Sequence, residues 1–233
     1  MTRRSDHRPT RRAQLMLALT ALAPGLAVLA GLGTRAGQWD WPIGYSLLTM
    51  TVAWWMAMAG AVAALLAVVF ALKDLRRAGV YALLAVLVAG GTLGLFVQHR
   101  MKVAAGGPAW DVATSPGDPP GFSEAATASR ARAGAAALGA PQACEGVSTM
   151  SMQVAPQRAV AALDAAGFQP TGAAPFRADG VRVGSLFGFT HDAVIRIRPA
   201  ATDIRVSARV ARPDGGEACR LTREIREALE GAA

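Results

Sequence analysis

HDAVIRIRPAATDIRVSARV, residues 191–210, alternates apolar with polar residues on both sides of a proline-led break. Side chains of a strand point to opposite faces at each step, so this alternation describes one buried face and one polar face. Folded as a hairpin around Pro199, Ala200, Ala201 and Thr202, the two halves place Arg198 opposite Asp203 and Arg196 opposite Arg205. Val194 then faces Ser207, and Asp192 faces Arg209. The other face carries Ala193, Ile195 and Ile197 against Ile204, Val206, Ala208 and Val210, which is a core face. Opposite-charge cross-strand pairs contribute about 0.2–1 kcal/mol, and like charges directly opposite cost about as much. The expected Arg196–Arg205 pair therefore needs a third group: an acid from elsewhere in the chain, an anion or water. Arg196, Arg205, Arg209 and Arg198 are the candidate anion- or partner-binding residues. The alternative is a solvated face whose arginines are held by nearby acids.

The flanking sequence extends the same domain. Strands are expected over 147–154 (VSTMSMQV), 181–189 (VRVGSLFGF), 193–198 and 203–210. Between the first two, PQRAVAALDAAGF reads as a helix, with Pro156 at its first position and Gly167 at its end. Residues 216–229 form an amphipathic helix with Leu221, Ile225 and Leu229 on one face. The order β-α-β-β-β-α predicts an α+β core over 147–233, with a mainly antiparallel sheet and helices on one face. Residues 106–146 are an arm rich in proline, glycine and alanine. Its Asp111 and Asp118 are expected to bond local backbone or the arginines of the sheet, as structural partners alongside Asp192, Asp203 and Asp214.

The first hundred residues differ in kind. The chain of 233 residues is 52% hydrophobic, and its apolar residues concentrate there in runs of membrane-spanning length. An α-helical anchor of three transmembrane helices is expected within 13–105, with spans at about 13–33, 45–72 and 78–97, behind a basic tail at 1–12. Trp39, Trp41 and Tyr45 match an interfacial belt before the second span. Arg3, Arg4, Arg8, Arg11 and Arg12 precede the first span, and Lys73, Arg76 and Arg77 lie between the second and third. Only Arg35 lies between the first two, while Arg100 and Lys102 follow the third and argue the other way. The summed bias predicts a multi-pass protein of the bacterial inner membrane, with a cytoplasmic N-terminus and a periplasmic C-terminal domain. The net charge of +8 is then largely topological. The lipid bilayer, not nucleic acid, is the expected partner. These spans hold no acid, histidine or lysine, which points to an anchor and not an ion-coupled transporter. Gly90 and Gly94 have helix-packing spacing, as they would in any span rich in small residues.

Little catalytic chemistry is legible. His191 and Asp192 are neighbours on a strand and point to opposite faces, so they should not orient one another beside Ser185 or Ser207. The C-terminal half has one histidine, two distant cysteines and no CxxC or HExxH, so neither a metal nor a cofactor is expected. In an oxidising compartment Cys144 and Cys219 can pair, closing a loop of about 75 residues, and the alternative is two free buried thiols. The domain is read as a non-catalytic binding or structural module, with an envelope protein or an anionic ligand as its partner. The alternative is an enzyme acting on an anionic envelope substrate, with the arginines as a clamp.

Residues 108–230 resemble a bacterial and plastid family, domain of unknown function 1499. Its D-V-x-T-x-x-x-D-P-P segment is matched by Asp111, Val112, Thr114, Asp118, Pro119 and Pro120. A later phenylalanine and the acid before a V-x-x-R strand are matched by Phe189, Asp192 and Arg196, with His191 where an acid is usual. The following D-x-R-S-x-S-R-x-G and acid-glycine segments are matched by Asp203, Arg205, Arg209, Asp214 and Gly216. Val206 and Ala208 stand in place of the serines and Ala211 in place of the glycine, and the asparagine usual after Gly216 is absent. The resemblance implies no activity. It implies a domain that some members hold behind a membrane anchor.

Overall fold

The computed structural model describes residues 8–105 and 110–231. It divides near residue 100 into a helical unit and a sheet unit.

The helical unit opens with α1 (Arg8–Arg35). A π-helical stretch, Pro42–Ala53, runs directly into α2 (Trp54–Ala71). Helix α3 covers Leu75–Ala105. Three stretches, Thr10–Arg35, Pro42–Ala71 and Leu75–Ala105, are long and apolar enough to cross a membrane. Their packing inverts the soluble pattern. The buried residues are mostly alanines, among them Ala13, Ala64, Ala67, Ala78 and Ala85, while Leu22, Leu29, Leu65, Leu87 and Leu95 face outward. Small residues inside let helices approach closely, and large apolar ones outside suit a hydrocarbon surround. Gly60 shows the closeness: a Cβ there would lie 3.5 Å from the Thr20 backbone. Gly90 and Gly94 meet nothing within 4 Å, so their spacing serves no packing among the described residues. Helix α3 continues past its apolar stretch and takes in His99 and Arg100, which the expected span of 78–97 leaves out. Both have polar partners: His99 Nε2 lies 2.7 Å from the Tyr45 hydroxyl, and Arg100 donates to the Met50 carbonyl at 2.8 Å.

The sheet unit contains β1 (Asp111–Ala113), α4 (Glu124–Arg132), α5 (Pro156–Ala165), β2 (Gln169–Ala174), β3 (Arg177–Val183), β4 (Thr190–Arg198), β5 (Ala201–Ala208) and α6 (Glu217–Gly231). The five strands pair antiparallel in the order β1-β5-β4-β3-β2. Helices α5 and α6 cover the apolar face, and Leu163, Phe168, Ile195, Ile204, Leu221, Ile225 and Leu229 form the core between them. Fully burying each such side chain contributes about 1.5–3 kcal/mol. Helix α5 begins at Pro156 and closes at Gly167, whose φ of 75° lets the Phe168 N–H return to the Leu163 carbonyl at 2.9 Å.

The sheet departs from the sequence expectation in four places. Residues 147–154 are not a strand. They make two single bridges, Cys144 with Val147 and Met150 with Thr202, since β1 pairs with Arg205, Val206 and Ser207 on the outer edge of β5. Strand β3 starts earlier than expected and ends at Val183, after which the Gly184 N–H meets the Phe189 carbonyl at 2.8 Å and turns the chain. Strands β1 and β2 were not anticipated. The first is only three residues long, and the second reads QPTGAA, with little β-propensity, on an exposed edge. Finally, the β4–β5 hairpin turns over two residues, Pro199 and Ala200, and not four. Its register is therefore offset by two: Arg196 faces Asp203, Val194 faces Arg205 and Asp192 faces Ser207. An offset of two keeps every side chain on its expected face and changes only its partners.

Candidate functional site

The polar face collects Asp111 from β1, Asp203, Arg205 and Ser207 from β5, Asp192, Arg196 and Arg198 from β4, and Arg177 and Asp179 from β3. The like-charge pair across strands is Arg177 with Arg196. Arg205 takes Asp111 in a two-pronged contact, Nε to Oδ1 at 2.9 Å and Nη2 to Oδ2 at 2.6 Å. Two of its three remaining N–H groups reach the Pro120 and Gly139 carbonyls. Asp192 holds two arginines. Arg209 grips it through Nε at 2.9 Å and Nη2 at 2.7 Å, and Arg130 of α4 adds Nη1 at 2.8 Å. Arg177 and Asp179, two residues apart on one strand, form a third two-pronged pair at 3.0 and 2.9 Å.

The fourth group is the largest. Asp203 lies at the bottom, with Arg196 Nη2 at 2.8 Å, Arg198 Nη2 at 2.7 Å and the Thr149 hydroxyl donating at 2.7 Å. Asp118 lies on top, holding Arg196 through both carboxylate oxygens and its own carbonyl. Arg196 draws the Asp118 carboxyl below its ordinary range, by hydrogen bonding first and by charge second. The Phe122 ring lies beside both Arg130 and Arg205, 5.4 and 5.5 Å from their guanidinium carbons. Helix α4 and the loop before it thus lie over this face, while α5 and α6 lie over the other. Asp118 and Asp203 are thus the acids that engage Arg196 and Arg198, and Asp111 the one that engages Arg205.

Asp214 works elsewhere. Its carboxylate accepts the N–H groups of Gly216 and Ala218 at 2.8 Å and of Glu217 at 3.2 Å, which caps α6. Gly215 and Gly216 have φ of 68° and 81°, so the turn into this cap requires glycine. The first turn of α6 is also covalently tied, since Cys219 forms a disulfide with Cys144 across a Cα separation of 5.6 Å.

His191 and Asp192 lie on opposite faces. His191 is buried on the core side, opposite Arg182 on β3 and Ala208 on β5, and its Nε2 meets no partner among the described residues. Burial pushes its pKa down from 6.5 to about 4, helped by the positive charges of Arg212 and Arg182 and opposed by Glu217 and Asp192. The neutral imidazole is therefore the folded form. Between pH 6.5 and about 4 the unfolded chain takes up a proton that the folded chain refuses, so stability falls as pH falls. From pH 7 to pH 5 this loss is about 2 kcal/mol. Hydrogen exchange in β4 and β5 should show that extra loss in the wild type and not in His191→Leu. Equal pH dependence in the two would remove His191 as its source.

Three membrane-length helices joined to an antiparallel α+β domain, one face of which is an internally paired charge layer, define the class of protein. The chain belongs to the family described as protein of unknown function (DUF1499), whose model matches residues 111–229, just over half of its length. No curated protein and no solved structure matches it. Of the acids that carry the resemblance, Asp111, Asp118, Asp192 and Asp203 hold arginines, as Asp179 also does, and Asp214 is the helix cap. Thr114 closes the β1–β5 ladder, its hydroxyl accepting the Ile204 N–H at 2.9 Å. The departures at His191, Val206 and Ala208 all fall on the core face, where a nonpolar or neutral side chain fits. Sequence reasoning missed Arg130, Arg177, Asp179, Thr149 and Phe122. The R-x-D spacing of Arg177 and Asp179 was a usable signal once β3 was extended to them. Nothing distinguishes Arg130 from Arg132 before α4 is docked.

Proposed function

We propose that the chain is a multi-pass protein of the bacterial inner membrane whose sheet domain lies in the periplasm and serves the cell envelope as a non-catalytic binding or structural module. The disulfide is the observation that carries the location, because such bonds persist in oxidising compartments. The basic residues before α1 and between α2 and α3 agree with it through the positive-inside rule. The non-catalytic reading is supported by the engagement of the arginines. An electrostatic clamp for a substrate needs guanidinium groups aimed at open space, and Arg205 is enclosed with Asp111. The separation of His191 from Asp192 by the thickness of the sheet supports it further.

Reporter fusions test the location. Alkaline phosphatase is active only outside the cytoplasm, whereas green fluorescent protein exported unfolded stays dark. The phosphatase should be active after residue 233 and inactive after residue 77, with fluorescence in the reverse pattern. A fluorescent, phosphatase-negative C-terminal fusion would overturn the assignment.

A further inference from the structure

The four ion-paired groups differ in how closed they are. The side chains of Asp111, Asp179 and Asp192 are each 4% exposed, and Asp203 is fully buried. Asp118 is 65% exposed. It sits on a turn in which its N–H meets the Ser115 carbonyl at 3.2 Å. Three of its oxygens face Arg196: Oδ1 at 3.2 Å from Nη1, Oδ2 at 2.9 Å from Nη2, and the backbone oxygen at 2.8 Å from Nη2. Arg198 Nη1 stands 3.5 Å from Oδ2. Below, Asp203 holds both guanidinium groups from the protein side. The forks therefore keep their places when Asp118 leaves. Arg198 also carries one enclosed N–H, at Nε, that no acceptor meets among the described residues.

We propose that Arg196 and Arg198 form a binding site for a phosphoryl group, and that Asp118 is an internal occupant which such a group displaces. A carboxylate alone offers two oxygens, and Asp118 needs its own carbonyl to present three. A phosphoryl group presents three by itself, with more charge, to side chains whose planar forks match it. An exposed carboxylate–arginine contact contributes little in water, so exchange is easy. With Asp118 gone, Arg177, Arg196 and Arg198 outnumber Asp179 and Asp203 by one charge. In the neighbouring pairs the carboxylate is buried, 4% exposed in each, so none of them offers such an exchange. A lipid headgroup and a soluble phosphate ester share this chemistry. The proposal rests on the domain being a binding module and not on its side of the membrane, so the fusion result leaves it untouched.

The test is calorimetric titration of the full chain, in uncharged detergent at low salt, with inorganic phosphate. Asp118→Asn should bind phosphate about fivefold more tightly than the wild type, because the internal competitor is gone. Adding Arg198→Gln should weaken that binding about tenfold or more. Arg198→Lys, which keeps the charge and loses the fork, should fall between. Arg198 is partly exposed, and a thermal melt of each variant verifies its fold. Equal affinity of Asp118→Asn and wild type, no binding by either, or indifference to Arg198 would each overturn the site. Nanodiscs then separate the sources. Phosphatidic acid in the bilayer should abolish phosphate binding if the headgroup is the ligand, and leave it intact if a soluble ester is. A phosphatidylcholine bilayer should leave it intact in both cases.

Discussion

Asp192→Ala is expected to destabilise the sheet domain by about 3–5 kcal/mol, the range for removing one member of a buried ion pair. Asp192 is the single carboxylate between Arg130 and Arg209, and its side chain is 4% exposed. Its loss leaves Arg130 nearly enclosed, with only carbonyl oxygens of Ser207, Ala136 and Ala208 at 3.3–3.4 Å. A guanidinium group cannot shed its proton to escape this burial. The measurement is hydrogen exchange across β4 and β5 in the detergent-solubilised chain. A triple change, Asp192→Leu with Arg130→Met and Arg209→Met, should recover part of the loss, since removing every partner leaves no buried charge uncompensated. A loss below 1 kcal/mol for Asp192→Ala would show that water reaches these arginines. Asp118→Ala is the contrasting case: its exposed carboxylate should leave exchange in the sheet unchanged.

Cys219→Ser should cost about 4 kcal/mol. The disulfide closes a loop of 75 residues, and fixing so long a loop removes much of the freedom of the unfolded chain. That loop contains α5 and all of β2 to β5, so the bond joins the two ends of the folded core. Pulse proteolysis in a urea series gives the midpoint shift of the sheet domain. The wild-type chain run on a gel should move more slowly after reduction, and neither thiol should be alkylated before it. Unchanged mobility with both thiols reactive would deny the bond, and a midpoint that ignores the substitution would deny its contribution.

Much of the fold was legible because its signals are local. Apolar length marked the three helices long enough to cross a membrane, and the inward alanines of α1, α2 and α3 are the packing consequence of that composition. Proline and glycine marked the limits of α5. Period-two alternation assigned residues 192–198 of β4 and 203–208 of β5 to their correct faces, while Ala201 and Thr202 were expected in the turn. The same periodicity was blind to an offset of two, so Arg196 was expected opposite Arg205 when it faces Asp203. Turn length decides that offset, and PAAT can close a hairpin over four residues or over two. Strand β2 carried no signal because an exposed edge with proline and glycine needs no alternation.

The sequence by itself determined that there are two kinds of region, which faces of the hairpin are buried and which charged, and that two cysteines were available to pair. Only the tertiary structure decided which acid meets which arginine. Asp111 and Arg205 are 94 residues apart, Arg130 and Asp192 are 62 apart, and Asp118 and Arg196 are 78 apart. Propensity and periodicity act over a few residues. Contacts at these separations exist only once burial of the apolar face has brought the arm, α4 and the hairpin together, and the cost of leaving a buried charge alone then selects the pairing.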